Sequence, residues 1–254
     1  MKISLERIKY NFRKHLHPFK VLYVFAKLPF IKKTHLFNVI GKSQWNDDLF
    51  LTANYMNFLN EGSFNLNFNL ALDGTPNKLR DNFLSIKYRS HITDWCANQV
   101  NAIEGDFVEL GVWYGILSKT ILLNNNLKNR KIYLVDPWAN KLNERYKDDI
   151  YNEVVSRFKD FSNVTLIRGY APEAIKSVTS NKIAFLMIDM NSVNPEIESL
   201  KLLWPLIPTG GITYFDDYGH LNCEGLRKEI NLFFEDKKER ILIFPSGNAI
   251  VIKI

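Results

Sequence analysis

Ile183-Ala184-Phe185-Leu186-Met187-Ile188-Asp189 decides the fold: six consecutive apolar residues closed by an acid. A strand buried on both faces reads as a continuous apolar run, whereas a strand with one wet face alternates. Downstream, Asn194-Pro195-Glu196 supplies a cap residue, a proline for the first helical position and an acid for the first turn, which predicts a helix to about Leu206. Gly210-Gly211 then leads into a second apolar run, Ile212–Phe215, again closed by acids, Asp216 and Asp217. Upstream the same alternation holds. Strands are expected at Asp106–Leu110, 131–135 and Val164–Arg168, and helices at 77–103, 116–123, 148–159 and 173–178. Asn222 is the expected cap of a further helix to about Phe234. The runs 240–244 and 249–253 flank the turn Pro245-Ser246-Gly247-Asn248 and read as a hairpin. Strands separated by helices pair in parallel through right-handed crossovers. The expectation is an α/β fold with a seven-stranded, mostly parallel sheet and an antiparallel terminal hairpin.

In such sheets ligands lie across the carboxyl ends of the strands, and the polar residues of this chain cluster there. Glu109-Leu110-Gly111-Val112-Trp113-Tyr114-Gly115 follows the first strand; glycines at 111 and 115 let backbone turn sharply and approach a ligand. Trp113 stands where a dinucleotide fingerprint has its middle glycine, which disfavours a pyrophosphate grip and a nicotinamide oxidoreductase. Asp136, after the second strand, suits two ribose hydroxyls or an Asx turn before Pro137. Trp138 suits either a nucleoside cover or the core. Tyr170, in Arg168-Gly169-Tyr170-Ala171-Pro172, is placed to border an adenine. Asp189, Asp216 and Asp217 end neighbouring strands and are expected to converge on one hard divalent cation, since oxygen-only ligands suit Mg²⁺ and no His/Cys zinc pattern is present. His220 is either a base or an exposed loop histidine.

Composition narrows the partners. Hydrophobic residues at 46% and charged residues at 24% of 254 exclude a wholly disordered chain. Cys96 and Cys223 are the only cysteines, so a disulfide scaffold is excluded and a reducing, cytoplasmic setting is expected. No secretory signal or membrane-length apolar run is evident. Residues 1–33 hold nine Lys/Arg against one acid, Glu6, while the remainder has 24 basic and 26 acidic residues. The net +6 therefore belongs to one end, and nucleic acid is not an expected partner. Residues 1–76 read as a basic, aromatic extension that caps the site, joins a homo-oligomer or touches a membrane peripherally. Residues 77–254 read as the main domain. Within the extension, Leu5, Ile8, Phe12 and Leu16 fit a helical stripe, and 44–76 reads as a short helix and a loop.

From about residue 80 onward the chain resembles the macrocin O-methyltransferase (TylF-like) family of class I S-adenosylmethionine-dependent methyltransferases. The matching stretches are G-D-F-V-E-L-G-V-W-Y-G at 105–115, Y-L-V-D at 133–136, R-G-Y-A-P-E at 168–173, I-A-F-L-M-I-D-M-N at 183–191 and G-G-I-T-Y-F-D-D-Y-G at 210–219. The resemblance implies a Rossmann-like fold and methyl transfer to a hydroxyl of a sugar or glycosylated natural product, commonly with Mg²⁺. By position, Glu109, Gly111, Gly115 and Asp136 would hold the cofactor, with Trp113 and Tyr170 beside it. Asp189, Asp216 and Asp217 would hold the metal, and Asp189 or His220 would act as the base. Many family members carry a second acid two residues after the first; here it is Asn191, which cannot accept a proton. The competing expectation is a non-catalytic nucleoside-binding or membrane-associated scaffold on the same fold.

Overall fold

The structure is a computed structural model; it describes residues 57–76, 83–138, 149–220 and 222–254. The basic segment 1–33, its helical stripe, and the expected helix portions at 77–82 and 148 lie outside the described residues. Seven strands form one sheet: β1 (Asp106–Leu110), β2 (Ile132–Asp136), β3 (Val164–Arg168), β4 (Ile183–Ile188), β5 (Ile212–Phe215), β6 (Ile241–Ile243) and β7 (Ala249–Ile252). Their order is β3-β2-β1-β4-β5-β7-β6. The first five are parallel, and β7 runs antiparallel to both β5 and β6, so the terminal hairpin closes one edge.

β4 is buried at all six positions because helices cover both faces. On one face Phe107, Leu134, Phe185, Met187 and Tyr214 join a layer with Phe68, Cys96 and Ile121. Those last three come from α1 (Gly62–Leu72), α2 (Phe83–Gln99) and α3 (Ile116–Asn124). On the other face Val108, Leu110, Leu186, Ile188 and Phe215 meet Leu200 and Ile230. These belong to α5 (Val193–Leu203) and α6 (Glu224–Phe234); α4 (Tyr151–Phe158) sits between β2 and β3 in the chain. Full burial of one such side chain is worth about 1.5–3 kcal/mol, so the central strands dominate the stabilisation.

Four local expectations change. The segment Glu173–Ser177 is a 3-10 turn rather than an α-helix. α5 begins at Val193 after Ser192, not after Asn194, because Glu196 folds back and accepts the Ser192 N–H at 3.2 Å. The same carboxylate also accepts the Met190 N–H at 3.2 Å, so it caps the turn that leads into the helix. α6 begins after Cys223 rather than Asn222. Residues 57–72 form a 3-10 turn and the eleven-residue α1, where a short helix and loop were expected. Arg157 of α4 donates through Nη2 to the Ala71 carbonyl at 2.5 Å and through Nε to Tyr114 O at 2.8 Å. It thereby ties the carboxyl end of α1 to the loop after β1.

Candidate active site

Registers align the strand ends. Leu110 stands beside Val135 and Ile188, and Ile188 beside Phe215. The next residues, Gly111, Asp136, Asp189 and Asp216, therefore share one rim. The ladder runs past the strands: Gly111 N–H donates to Val135 O at 2.9 Å, Asp189 N–H to Leu110 O at 2.8 Å, and Asp216 N–H to Ile188 O at 3.0 Å.

Two glycines shape the turn after β1. Gly111 has φ +84°, and a Cβ there would stand 1.8 Å from the Asp189 carbonyl oxygen. Gly115, at φ +66°, precedes α3, and its Cβ would stand 2.5 Å from the Phe158 ring. The close approach expected of a ligand is, at both positions, an approach by the protein itself. Asp136 is 2% exposed. Its Oδ2 accepts the Val112 and Trp113 N–H groups at 2.8 and 2.9 Å, and Oδ1 accepts the Trp138 N–H at 2.6 Å. The Asx turn is thus present, and the carboxylate organises the loop backbone. In this form Asp136 has at most one accepting direction left for a ribose hydroxyl, beside the two hydroxyls it was expected to suit. Trp138 is a core residue, fully buried, whose Nε1 donates to Trp113 O at 2.8 Å. Trp113 itself is half-buried with φ +50°.

The three acids converge as expected. One oxygen from each of Asp189, Asp216 and Asp217 lies within 4.8 Å of the others. Hard divalent ions bond oxygen at about 2.0–2.6 Å, so a span of this size accommodates one. The donor set is carboxylate alone, which suits Mg²⁺ or a similar ion rather than zinc. Asn191, at φ +55°, donates Nδ2–H to Asp189 Oδ1 at 3.0 Å. The Asn191 amide thus steers the Asp189 carboxylate. Asp216 is 2% exposed and accepts the Tyr214 hydroxyl at 2.6 Å and an Arg89 guanidinium N–H at 2.5 Å.

Two buried glutamates lie behind this rim. Glu109, which accepts a hydrogen bond from the Ser118 hydroxyl, is pushed up to about 8 by burial, with Asp136 and Asp216 adding to the rise. Glu196 accepts the Met190 and Ser192 N–H groups at 3.2 Å each and is pushed up to about 7, again by burial first. Between its ordinary 4.5 and about 8, the folded chain keeps a proton on Glu109 that the unfolded chain has released. The stability this group contributes is complete below its unfolded value and falls as pH rises toward 8. Glu109→Gln retains the neutral form. Its denaturation free energy should therefore fall less between about pH 5 and pH 8 than that of the parent, by a few kcal/mol. Parallel pH profiles for the two proteins would show that burial of Glu109 does not govern the decline.

Residues 108–218 match the family model described as a methyltransferase domain. The sheet order and hairpin are those of Rossmann-like methyltransferases. Among solved structures the fold is similar to the O-methyltransferase NovP (20% identity over 65% of this chain and 79% of that one, TM-score 0.54). It is also similar to CalS11, a TDP-rhamnose 3'-O-methyltransferase of calicheamicin biosynthesis (16%, 75% and 92%, 0.52). A third is the S-adenosylhomocysteine-bound methyltransferase PaMTH1 of Podospora anserina (13%, 76% and 88%, 0.53). No curated protein matches the sequence.

Two of the expected site residues sit differently from the rest. Tyr170 is 51% exposed after β3. His220 is not an exposed loop histidine: its ring packs where a Gly247 Cβ would come within 2.8 Å. Its Nε2 is sealed from solvent and has no hydrogen-bond partner among the described residues. That burial keeps this nitrogen from a substrate in the present form. Arg89, Tyr214 and Glu196 contribute to the site without having been expected there. Glu196 stood out only as an acid in a first helical turn. Arg89 carries no local signal, because nothing along α2 marks which of its faces meets β5.

Among the described residues no helix is long and apolar enough to cross a membrane.

Proposed function

We propose that the chain is an S-adenosylmethionine-dependent O-methyltransferase, assisted by a divalent ion, that methylates a hydroxyl of a sugar or glycosylated natural product. The observation that carries the reading is the convergence of Asp189, Asp216 and Asp217 beside the Gly111 turn of a methyltransferase domain. The likeness to the macrocin family and to the sugar methyltransferase CalS11 supports the acceptor class. S-adenosylmethionine, when bound, supplies an electrophilic methyl group on a positively charged sulfur. A divalent ion held by the three aspartates would lower the pKa of a hydroxyl it binds.

The chain's own residues do the rest. The Asp136-braced backbone of 112–113 would form a wall of the nucleoside site. Asp189, oriented by Asn191, takes the acceptor's hydroxyl proton; a positioned base is worth about 10²–10⁴-fold in rate. Asp216, fixed by Arg89 and Tyr214, keeps its charge directed at the rim.

Calorimetric titration with S-adenosylmethionine and S-adenosylhomocysteine, with and without Mg²⁺, tests this. Saturable binding of both nucleosides is expected, followed by Mg²⁺-dependent methyl transfer to nucleotide-linked deoxysugars. Absence of nucleoside binding would sink the enzyme assignment. Binding without transfer to any hydroxyl acceptor would favour the scaffold reading instead.

A further inference from the structure

Asp216 is anchored from two sides. Arg89, in the middle of α2, sets Nη1 2.5 Å from Oδ2. From the opposite edge, Tyr214 OH donates to Oδ1, Asn248 Nδ2 donates to the Tyr214 oxygen at 2.6 Å, and Ser246 OH donates to Asn248 Oδ1 at 2.7 Å. Tyr214, Ser246 and Asn248 are all buried. The terminal hairpin turn therefore reaches the rim through a hydrogen-bonded chain and leaves Asp216 little freedom to swing. The side chains of Arg89 and Asp216 are 16% and 2% exposed, so the ion pair is largely shielded from water.

Charge gives this pair a further meaning. Three carboxylates with oxygens within 4.8 Å repel one another, and more so where water is excluded. A guanidinium stays protonated at any working pH and forms directional bonds to carboxylate. Among the described residues, the Arg89 guanidinium forms an ion pair with one of these aspartates, Asp216. With the ion gone, the guanidinium still compensates the most buried of them.

We infer that Arg89 is a resident counter-cation of the acidic rim, a positioning residue that holds Asp216 in place before a divalent ion arrives, and that competes with that ion for Asp216. The inference rests on the metal-assisted reading above. It assigns Arg89 two effects of opposite sign: support of the metal-free protein, and weakening of ion binding through like-charge repulsion. An arginine with a purely structural role would have the first effect without the second.

Full-length parent, R89M and R89K, stripped with EDTA, separate these cases by thermal unfolding and by calorimetric titration with Mn²⁺. R89M should unfold at a lower temperature without metal, bind Mn²⁺ roughly tenfold more tightly, and regain most of the lost stability at saturating Mn²⁺. R89K, which retains the charge, should bind Mn²⁺ within about threefold of the parent. If R89M does not fold when stripped, recovery on refolding with Mn²⁺ supports the inference, and failure to recover overturns it. If the parent binds Mn²⁺ and R89M binds it no more tightly, Arg89 is not a competitor; the inference falls while the metal reading stands. If none of the three binds Mn²⁺, the metal reading falls and takes the inference with it.

Discussion

Asp189→Asn is expected to lower methyl transfer by about 10³-fold or more while S-adenosylhomocysteine binds within about threefold of the parent. The substitution is close to isosteric. An amide oxygen at this position still accepts the Asn191 Nδ2–H that Asp189 Oδ1 accepts now, so the loop after β4 keeps its course. The backbone N–H of residue 189 still donates to Leu110 O. What disappears is one negative charge and the only proton-accepting group on the Asp189–Asn191 turn. Two outcomes distinguish its roles. If Asp189 acts as the base, the variant's residual rate should rise with pH where the parent's has levelled, since solvent hydroxide must replace the lost carboxylate. If it acts only as a metal ligand, excess Mg²⁺ should restore much of the rate. Turnover within tenfold of the parent at ordinary Mg²⁺ would remove Asp189 from the reaction.

How far the sequence reveals this site depends on which forces act locally. β4 and β5 were legible because continuous apolar runs closed by acids have few alternatives, and the structure reproduces both strands to the residue. Their adjacency, and hence the acid cluster, followed from parallel connectivity alone. α1 was harder to read. Phe64, Leu66, Phe68 and Leu70 alternate with asparagines at a strand-like period, yet the segment is helical and leaves Leu66 and Leu70 exposed. Its helicity comes from tertiary packing: Phe68 joins the core, and Asn67 Nδ2 donates to Leu123 O at 3.1 Å on α3. Gly111 stands out in the sequence for a sharp turn or a ligand contact, and Asp136 for ribose hydroxyls or an Asx turn. Distances between strands, invisible in one dimension, show that both first serve the protein's own backbone. Arg89 lies 127 residues from its partner Asp216, and no local pattern encodes a pairing over that separation.

Gly111→Ala should be the most damaging single-methyl change at the rim. Its Cβ would lie 1.8 Å from the Asp189 carbonyl oxygen and 2.5 Å from the carbonyl carbon. Those atoms are backbone, fixed by the Asp189 N–H bond to Leu110 O and by the Asp216 N–H bond to Ile188 O, so no side chain can rotate aside. The residue must also hold φ +84°, which costs an L-residue about 1–2 kcal/mol before any clash. Relief requires β1 and β4 to part at their carboxyl ends, which breaks ladder bonds in the middle of the sheet. A total cost above about 4 kcal/mol is expected, in the range reserved for core disruption. For a domain of this size that corresponds to a fall of at least about 8–16 °C in Tm. Gly62→Ala is the control: it has a comparable φ of +65° but nothing within 4 Å of the added methyl, so it isolates the backbone term at about 1–2 kcal/mol. Thermal unfolding of the two variants side by side decides the matter. Equal shifts would mean that β1 and β4 do not close on one another as described, and the acids at their ends would then lose their common frame. A large shift for Gly111→Ala alone ties the fold and the chemistry to one contact, because the carbonyl that excludes the methyl belongs to the residue expected to take the proton.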